Sequence, residues 1–469
     1  MEEGKKNIFS RIAGNIAEGD KVIWIVTLIL IMFSMVSIFS STSLMAKGDQ
    51  TRTVIFCKHL IVAVAGAAVI IGISAIPGIA FFRRISRFGF LASFILLLML
   101  ICRVKIGSFI SVPYMNGVCR GIRVGGFTIQ VYEVVKIAMV MYLAWAVQAY
   151  ENGSFRIADI LGTKWPKAFG WIKSARGQRW AFIFGPMFIV VLMIMKGSTG
   201  SAFLCGLVMI VTILVGGMKY RDLIDPMVAG IAGVAVILFL HVVSSGAIMD
   251  RLQTAFNRMK IELPYPNPEA RASQREAISL TRSDPSDLRE GSKEFYEYLD
   301  KIKQPESAEI AIVQGGRLPL GKGPGKSTQR YVVPVMYEDY MFSLIVEEYG
   351  LLIGFFVIIL YLSLFARGNI MVRNSKNRYA KACIGGLVFL ITFQAMFHII
   401  VNCNIGLLTG QTLPLISHGR CSFLCFCFAL GVILSVSTSL NKKIKEERRK
   451  TQVELNEIIN QNTENESNN

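Results

Sequence analysis

The chain has 469 residues, of which 53% are hydrophobic and 17% charged, with a formal net charge of +18. Mean hydropathy is positive and the apolar residues fall in long blocks without the ten-residue alternation of a membrane barrel, which excludes an ordinary soluble domain and a β-barrel. The Lys and Arg excess lies beside the apolar blocks and not on a groove-binding module, which excludes a nucleic-acid reader.

Residues 1–21 form a short amino-terminal segment that carries Lys5, Lys6 and Arg11. Apolar runs long enough for a bilayer core follow at about 22–41, 54–76, 87–103, 131–149, 180–196, 200–217, 227–246, 340–366, 379–403 and 421–440. No water is available in hydrocarbon to satisfy backbone N–H and C=O groups, so these runs must be helices. The predicted fold class is all-α, a polytopic membrane protein of about ten transmembrane helices. The first run is too long for a signal-peptide core and lacks a small-residue cleavage site, so it reads as a retained anchor. The cysteines lie mostly within the runs and have no metal-ligand spacing, which argues for packing and against disulfides or zinc.

With ten spans, the clusters Lys5/Lys6/Arg11, Arg83/Arg84/Arg87, Arg156 to Arg179, Lys219/Arg221, Arg367 to Lys381 and Lys442 to Lys450 all fall on one side. The bias of positive charge makes that side the cytoplasm, with both termini there. The membrane domain is expected over 22–440, with a large external loop at 247–339 between the seventh and eighth helices. The tail 441–469, basic and then rich in Asn and Glu, has too little apolar content to fold and is expected to be disordered.

This sidedness sorts the out-of-place polar residues. Arg123 and Gln130 precede the fourth run, and Glu133 and Lys136 lie in its first turns. Lys196 and Ser198 link the fifth and sixth, and Asn402 to Arg420 link the ninth and tenth. The glycine-rich stretch Gly321-Lys322-Gly323-Pro324-Gly325 leads through Tyr337-Glu338-Asp339 into a helix carrying Glu347 and Glu348. An ionisable side chain at mid-bilayer costs roughly 2.5 kcal/mol or more, so such acids need partners or a wet cavity. All of these residues map to the outer side, and one polar cavity on the external face is the simplest account.

Plainer readings stand beside that one. Asp339 at the start of a helix is placed to cap free N–H groups and meet the macrodipole, worth about 1 kcal/mol. Glu133 and Lys136, three residues apart, suit a structural salt bridge. Glu347 and Glu348 point about 100° apart, so only one easily faces a cavity while the other needs a helix partner. His59 beside Lys58 reads as an interface anchor, and His241 and His398 as buried hydrogen-bonding groups.

Several motifs carry a resemblance. Asn116-Gly117, Ile122-Arg123-Val124-Gly125 and Gln130-Val131-Tyr132-Glu133-Val134-Val135-Lys136 resemble the pattern N-G-x-x-R-W-I-x-L-G followed by Q-P-S-E-x-x-K. Gly315-Gly316 to Gln329, Pro334, Tyr337-Glu338-Asp339-Tyr340-Met341-Phe342 and Glu347-Glu348-Tyr349-Gly350 resemble G-G-x-x-G-x-G-x-G-x-S-x-Q, L-P, H-T-D-F-I-F and E-E-x-G. Gly406-Leu407-Leu408, Thr409-Gly410 and Thr412 to Ser417 resemble G-L-L-P-x-T-G-x-T-L-P-L-I-S. In order and spacing these are the motifs of the SEDS family, to which FtsW and RodA belong, with the FtsW or division branch the nearer. The chain departs from the pattern at Gly121 (usually Trp), at Val131-Tyr132 (Pro-Ser), at Ser198 (usually an acid in P-D-x-G-T-A), at Tyr337 (the His of H-T-D), and at Ser417-His418-Gly419-Arg420-Cys421-Ser422, where the family has S-Y-G-G-[ST]-S.

The resemblance implies a peptidoglycan glycosyltransferase that polymerises lipid II at the outer face of the bacterial cytoplasmic membrane during cell division. It also implies a class B penicillin-binding protein and other division proteins as partners. The family's catalytic aspartate falls on Asp339, and its Glu and Lys after Q-P-S fall on Glu133 and Lys136. Such chemistry needs a base for the sugar hydroxyl, a role worth roughly 10²- to 10⁴-fold. It also needs positive charge against the departing undecaprenyl pyrophosphate, for which Lys136, Arg123 and Arg330 are candidates. Mg²⁺ or Mn²⁺ suits the same task, since hard cations favour phosphate and carboxylate oxygens; no ligand set for it is assigned. Gln130, Glu347, Glu348, Ser417 and Arg420 are expected to line the substrate site. Two other readings are a flippase or transporter for a lipid-linked precursor, which predicts matched interrupted helices and a mid-membrane site, and a catalytically weak division scaffold, suggested by Ser198 and the altered Arg420 region.

Overall fold

The computed structural model describes residues 19–45, 52–76, 78–107, 109–115, 118–153, 155, 158, 160, 163–230, 233, 307–317, 320–329, 336–405 and 410–467. Residues 1–18, most of the predicted seventh run, most of the external loop, Arg330, His241 and the motif residues Asn116, Gly117, Pro334 and Gly406 to Thr409 lie outside them.

Helices α1 (Lys21–Met45) and α2 (Arg52–Ser74) follow the first two apolar runs. The third run is a pair, α3 (Ile79–Ser86) and α4 (Gly89–Ile101), bent by 44°. Gly89 sits where an added Cβ would lie 2.5 Å from the carbonyl of Ala138, so this bend is pressed onto the next helix. Then come α5 (Val131–Glu151), α6 (Ala175–Met195, with a π turn over Trp180–Phe184) and the shorter apolar α7 (Thr199–Val215). After a helix over 307–316 and the glycine-rich loop, the chain forms α8 (Met336–Asp339), α9 (Met341–Tyr349), α10 (Leu351–Asn374), α11 (Arg378–Asn402) and α12 (Arg420–Ser467).

Seven of the described helices are long and apolar enough to cross a membrane, or eight if the bent pair is one span. The expected membrane protein is therefore present, but two expectations are corrected. The run predicted over 340–366 is not one helix. It breaks at Gly350, whose φ of 84° and ψ of 169° lie in a region open essentially to glycine. Hydropathy cannot detect such a break, because both halves are apolar. The tail after Asn441, expected to be disordered, continues α12 without interruption to Ser467. It contains no Gly or Pro before that residue, its Lys, Arg, Glu and Gln residues favour helix, and growth from a formed span avoids the cost of nucleation. Lys376 Nζ, just past α10, lies 3.1 Å from Glu447 Oε2 on it.

The all-α expectation also misses a small β region between α4 and α5. Strands β1 (Ile110–Ser111), β4 (Gly121–Val124) and β5 (Phe127–Gln130) form an antiparallel sheet in the order β1-β4-β5, and β2 (Tyr114–Met115) pairs with β3 (Val118–Cys119). Gly121 pairs with Gln130 and Val124 with Phe127, so β4 and β5 are a hairpin closed at Gly125-Gly126. Because β5 runs directly into α5, the hairpin stands over the start of that helix.

Buried residues make up 83% of the apolar window of α5, 67% of α11 and 72% of α12, against 33% of α2, α6 and α10. The first three helices form the interior, and the outer ones present apolar side chains to their surroundings. α11 packs on α5, α7 and α10, and α12 packs on α2. The last contact is close because a Cβ on Gly66 would lie 2.6 Å from the Phe423 ring and 2.7 Å from Cys427 Sγ, the small-residue logic of helix packing in lipid. Ion pairs between Arg367 and Asp20 (2.5 Å) and between Arg378 and Glu151 (2.6 Å) tie the starts of α1 and α11 to the ends of α10 and α5. Those starts and ends therefore share one end of the bundle, the end where the basic clusters lie. The start of α5 and the end of α11 face the opposite way.

Gly350→Ala is expected to destabilise the detergent-purified protein by about 1–3 kcal/mol, the cost of a strained backbone. Gly126→Ala, where nothing lies within 4 Å of an added Cβ, is the matched control and should leave the unfolding midpoint in place.

Candidate active site

The end opposite the basic clusters is organised by the segment from Gly410 to Arg420, which folds back between α8, α5 and α11. Three successive carbonyls of α8 and its lead-in are held from outside. His418 N–H donates to Tyr337 O at 2.9 Å, Ser417 Oγ donates to Glu338 O at 2.7 Å, and Asn402 Nδ2 on α11 donates to Asp339 O at 3.2 Å. A helix of only four residues has little hydrogen bonding of its own, so these bonds fix it where propensity cannot. His398, buried on α11, has its ring Nδ1 2.7 Å from Gln411 O and accepts from Phe342 N–H at 3.4 Å, joining the segment to α9. This matches the expected buried hydrogen-bonding role. His59, expected at an interface, is instead 1% exposed, with its Nε2 3.0 Å from Ser34 Oγ.

Asp339 is partly enclosed, with Gly410 packed on its carboxylate: a Cβ there would sit 3.0 Å from Asp339 Oδ2. Burial and, after it, the charge of Glu338 raise the carboxyl's pKa to about 7 against the opposing guanidinium of Arg120. Asp339 is therefore poised near neutrality, which a simple surface cap would not be. Arg120 was missed by reasoning that chose Arg123. The first arginine of N-G-x-x-R falls on Arg120 itself, so the motif spacing contained the signal. Arg123 is exposed on β4, where Ile122 takes the inward position.

On the other side of the same segment, Lys136 is 1% exposed and its ammonium makes a 2.8 Å ion pair with Glu133 Oε1. It also donates to Gln394 Oε1 at 2.6 Å and Gln411 Oε1 at 3.3 Å. An ammonium has three protons, so this lysine is saturated within the protein. Gln411 Nε2 donates to Ser201 Oγ at 2.8 Å, and Ser198 Oγ to Ser201 Oγ at 3.0 Å. Ser198, where the family pattern has an acid, caps α7 by accepting from Ser201 N–H. The salt bridge expected of Glu133 and Lys136 is present, and the segment links it to Asp339: Gly410 touches Asp339 while its neighbour Gln411 touches Lys136. Gln130 enters through its backbone, donating N–H to Cys421 Sγ at 3.2 Å.

Glu347 and Glu348 do not face this cluster. Both are fully buried and grip the glycine-rich loop. Glu347 pairs with Lys322 at 2.7 Å and accepts from Thr328 N–H and Oγ1 at 2.9 Å and from Ser327 Oγ. Glu348 accepts from Ser40 Oγ on α1, and Ser40 Oγ in turn accepts from Gly325 N–H at 2.7 Å. Lys322 N–H and Gly323 N–H donate to the carbonyls of Glu347 and Glu348. The expectation that one acid lines the cavity is replaced by a latch that uses both. A loop wrapped around a helix end can reach two directions 100° apart, which a single flat wall cannot. Ser417 braces the segment, also accepting from Leu413 N–H at 2.9 Å. Arg420 is exposed at the first residue of α12, and Arg330 lies outside the described residues.

Among the described residues no group of three or more His, Cys, Asp or Glu side chains is gathered to hold a metal ion. The positive charge that the described residues bring toward Asp339 is that of Arg120.

Lys136→Met should cost about 3–5 kcal/mol, because it leaves Glu133 buried without its cation. Adding Glu133→Gln to that variant should recover a large part of the loss; thermal unfolding of the three variants in one detergent measures both effects.

The family model for FtsW, RodA and SpoVE, described as "Cell cycle protein", matches residues 20–264 and 291–442. A probable peptidoglycan glycosyltransferase FtsW of Geobacter metallireducens is 24% identical over 429 residues, 90% of this chain and 95% of the relative. The stage V sporulation protein E of Bacillus subtilis is 25% identical over 89% of this chain and 96% of its own length. Among solved structures, a chain of a peptidoglycan synthase complex that coordinates polymerization and crosslinking superposes with a TM-score of 0.58 at 16% identity, over 90% of this chain and 98% of that one. The rod shape determining protein RodA of Thermus thermophilus superposes with a TM-score of 0.51 at 15% identity, over 89% of this chain and 96% of RodA. With motifs in order, a shared fold and a family match across both halves of the chain, this protein belongs to the FtsW/RodA/SpoVE family, the SEDS proteins, with its likeness running toward FtsW.

Proposed function

We propose that this chain is a peptidoglycan glycosyltransferase that polymerises lipid II at the outer face of the cytoplasmic membrane during cell division, with Asp339 as general base. The observation that carries this is the setting of Asp339: a carboxylate of near-neutral proton affinity, at the mouth of a helix bundle, on a short helix whose three successive carbonyls are held by Asn402, Ser417 and His418. Support comes from relatives covering nearly the whole chain that bear the name peptidoglycan glycosyltransferase.

In this chemistry the 4-hydroxyl of one lipid-linked sugar attacks the anomeric carbon of another. Its proton passes to Asp339, and the carbon–oxygen bond to undecaprenyl pyrophosphate breaks with its electron pair on the leaving phosphate. A base that titrates near the working pH combines a useful ionised fraction with real proton affinity. Arg120, with the exposed Arg123 beyond it, is placed to meet the pyrophosphate. Lys136 has no donor to spare, so its part is to hold Gln411, and through it Gly410, against Asp339. Mg²⁺ or Mn²⁺, when bound, would supply further positive charge against the pyrophosphate. A lipid tail remaining in the bilayer suits a site at the end of the bundle, whereas a carrier of lipid-linked precursors would be expected to hold its cargo at mid-depth. The partner proposed is a class B penicillin-binding protein, in keeping with the likeness to a synthase complex that couples polymerization to crosslinking.

Asp339→Asn, co-purified with the cognate class B penicillin-binding protein and supplied with lipid II and divalent cation, should lose polymer formation by 10²- to 10⁴-fold while remaining folded. Polymer from wild type alone supports the base; near-normal polymer from the variant refutes it. The active form is the ionised carboxylate. Since the pKa is raised to about 7, wild-type rate should fall as pH drops through about 7 and level off above it, and a limb centred near pH 4 would contradict the assignment.

A further inference from the structure

Beside Asp339, outside the roles already given, stand two side chains with unfinished business. Glu338 is partly exposed on the other face of α8, and His418 reaches toward it from the Gly410–Arg420 segment. His418 Nδ1 lies 3.8 Å from Glu338 Oε1, too far for a hydrogen bond but within ion-pair reach. That nitrogen is buried and has no hydrogen-bond partner, an arrangement proteins seldom leave without use. The backbone around the pair is fixed: His418 N–H holds Tyr337 O, and Ser417 Oγ holds Glu338 O. The His418 ring meets the Tyr337 ring edge-on with centroids 5.7 Å apart and the His59 ring at 5.9 Å. Packing alone explains the two ring contacts, but not a buried nitrogen aimed at a carboxylate.

We infer that His418 is a positioning residue for Asp339: by pairing with Glu338 it governs the field that the neighbouring carboxylate exerts on Asp339, and so how firmly Asp339 holds a proton. The groups facing Asp339 are Glu338, Arg120 and the Tyr337 phenol. Those facing His418 are Glu338, Tyr337 and His59, with Arg420 two residues along the chain. A bare Glu338 strengthens the hold of Asp339 on its proton, in agreement with the upward push Glu338 exerts on it. A protonated His418 cancels that charge and loosens the hold. The motif patterns H-T-D and S-Y-G-G carry a histidine where Tyr337 stands and a tyrosine where His418 stands. The same two rings thus meet here with their places exchanged, and an imidazole still flanks the aspartate.

The effect on turnover rests on the glycosyltransferase reading, but the effect on Asp339 does not, so the test reads the aspartate directly. Full-length protein in detergent is labelled with a carbodiimide across a pH series, and modification of Asp339 is followed by mass spectrometry. Glu338→Gln should move the midpoint down. His418→Tyr should move it up by about half a pH unit, about threefold in proton affinity. Tyr337→His/His418→Tyr should return it toward wild type, and Glu338→Gln/His418→Tyr should match Glu338→Gln alone. If His418 only packs, His418→Tyr leaves the midpoint within about 0.2 units of wild type even where stability drops, and the inference fails; a downward shift overturns it as well. Should His418→Tyr not fold, His418→Asn, smaller and unable to carry the positive charge, carries the same expectation. Absence of polymer from wild type in the lipid II assay would sink the glycosyltransferase reading and leave this titration result standing.

Discussion

The arrangement at the polar end depends on one constraint: charges buried in an apolar bundle must be satisfied in place. Lys136 sits fully enclosed among three acceptors, and Glu347 and Glu348 are enclosed among serine, threonine, lysine and backbone donors. Desolvating an ion costs several kcal/mol, so each such residue commits the segments that supply its partners. The segment Gly410–Arg420 is committed by Lys136 through Gln411, and the glycine-rich loop by the two glutamates. Among the described residues Asp339, between the two, makes no ion pair with a cation, so burial raises its pKa with Arg120 only partly opposing it.

The same constraint explains the division of labour among glycines. Gly315 and Gly321 lie against the backbone of Val346 and of Glu348 to Gly350, where no side chain fits, so the loop can bring its N–H groups to the end of α9. Gly410 leaves the Asp339 carboxylate room at the mouth of the site. Each allows a polar group to approach another closely; Gly321 and Gly410 stand in stretches that are neither helix nor strand, and Gly315 near the end of the helix over 307–316.

Much of this was legible in the sequence. Blocks of apolar residues announced the helices, and the parity of basic clusters correctly put Glu133, Asp339, Asn402 and the Gly410–Arg420 segment at one end. What could not be read shares a cause: hydropathy and residue type carry no direction. The break at Gly350 lies between two equally apolar helices, and the β4–β5 hairpin is too short for an alternation signal. Glu347 and Glu348 have the composition of a catalytic pair but the surroundings of a latch, and only the path of the loop tells the two apart. Arg120 and Arg123 differ in little except that Ile122 beside Arg123 turns inward while Arg123 turns out. The tail failed for another reason, since low apolar content forbids a core but not a single helix grown from an existing span.

The departure at Ser198 is best judged by the same charge logic. Counting outward from Lys136, one buried cation faces one carboxylate, Glu133, and the remaining positions are filled by neutral amides and hydroxyls from Gln394, Gln411, Ser201 and Ser198. A second carboxylate at Ser198 would add a negative charge one serine away from a network already balanced, and would need a cation beyond Lys136 to answer it. Serine keeps the cap on α7 and closes the hydrogen-bond chain without that demand. The loss of the acid therefore belongs to a self-consistent neutral arrangement on the Lys136 side. It leaves the Asp339 side, where the proposed proton transfer takes place, untouched.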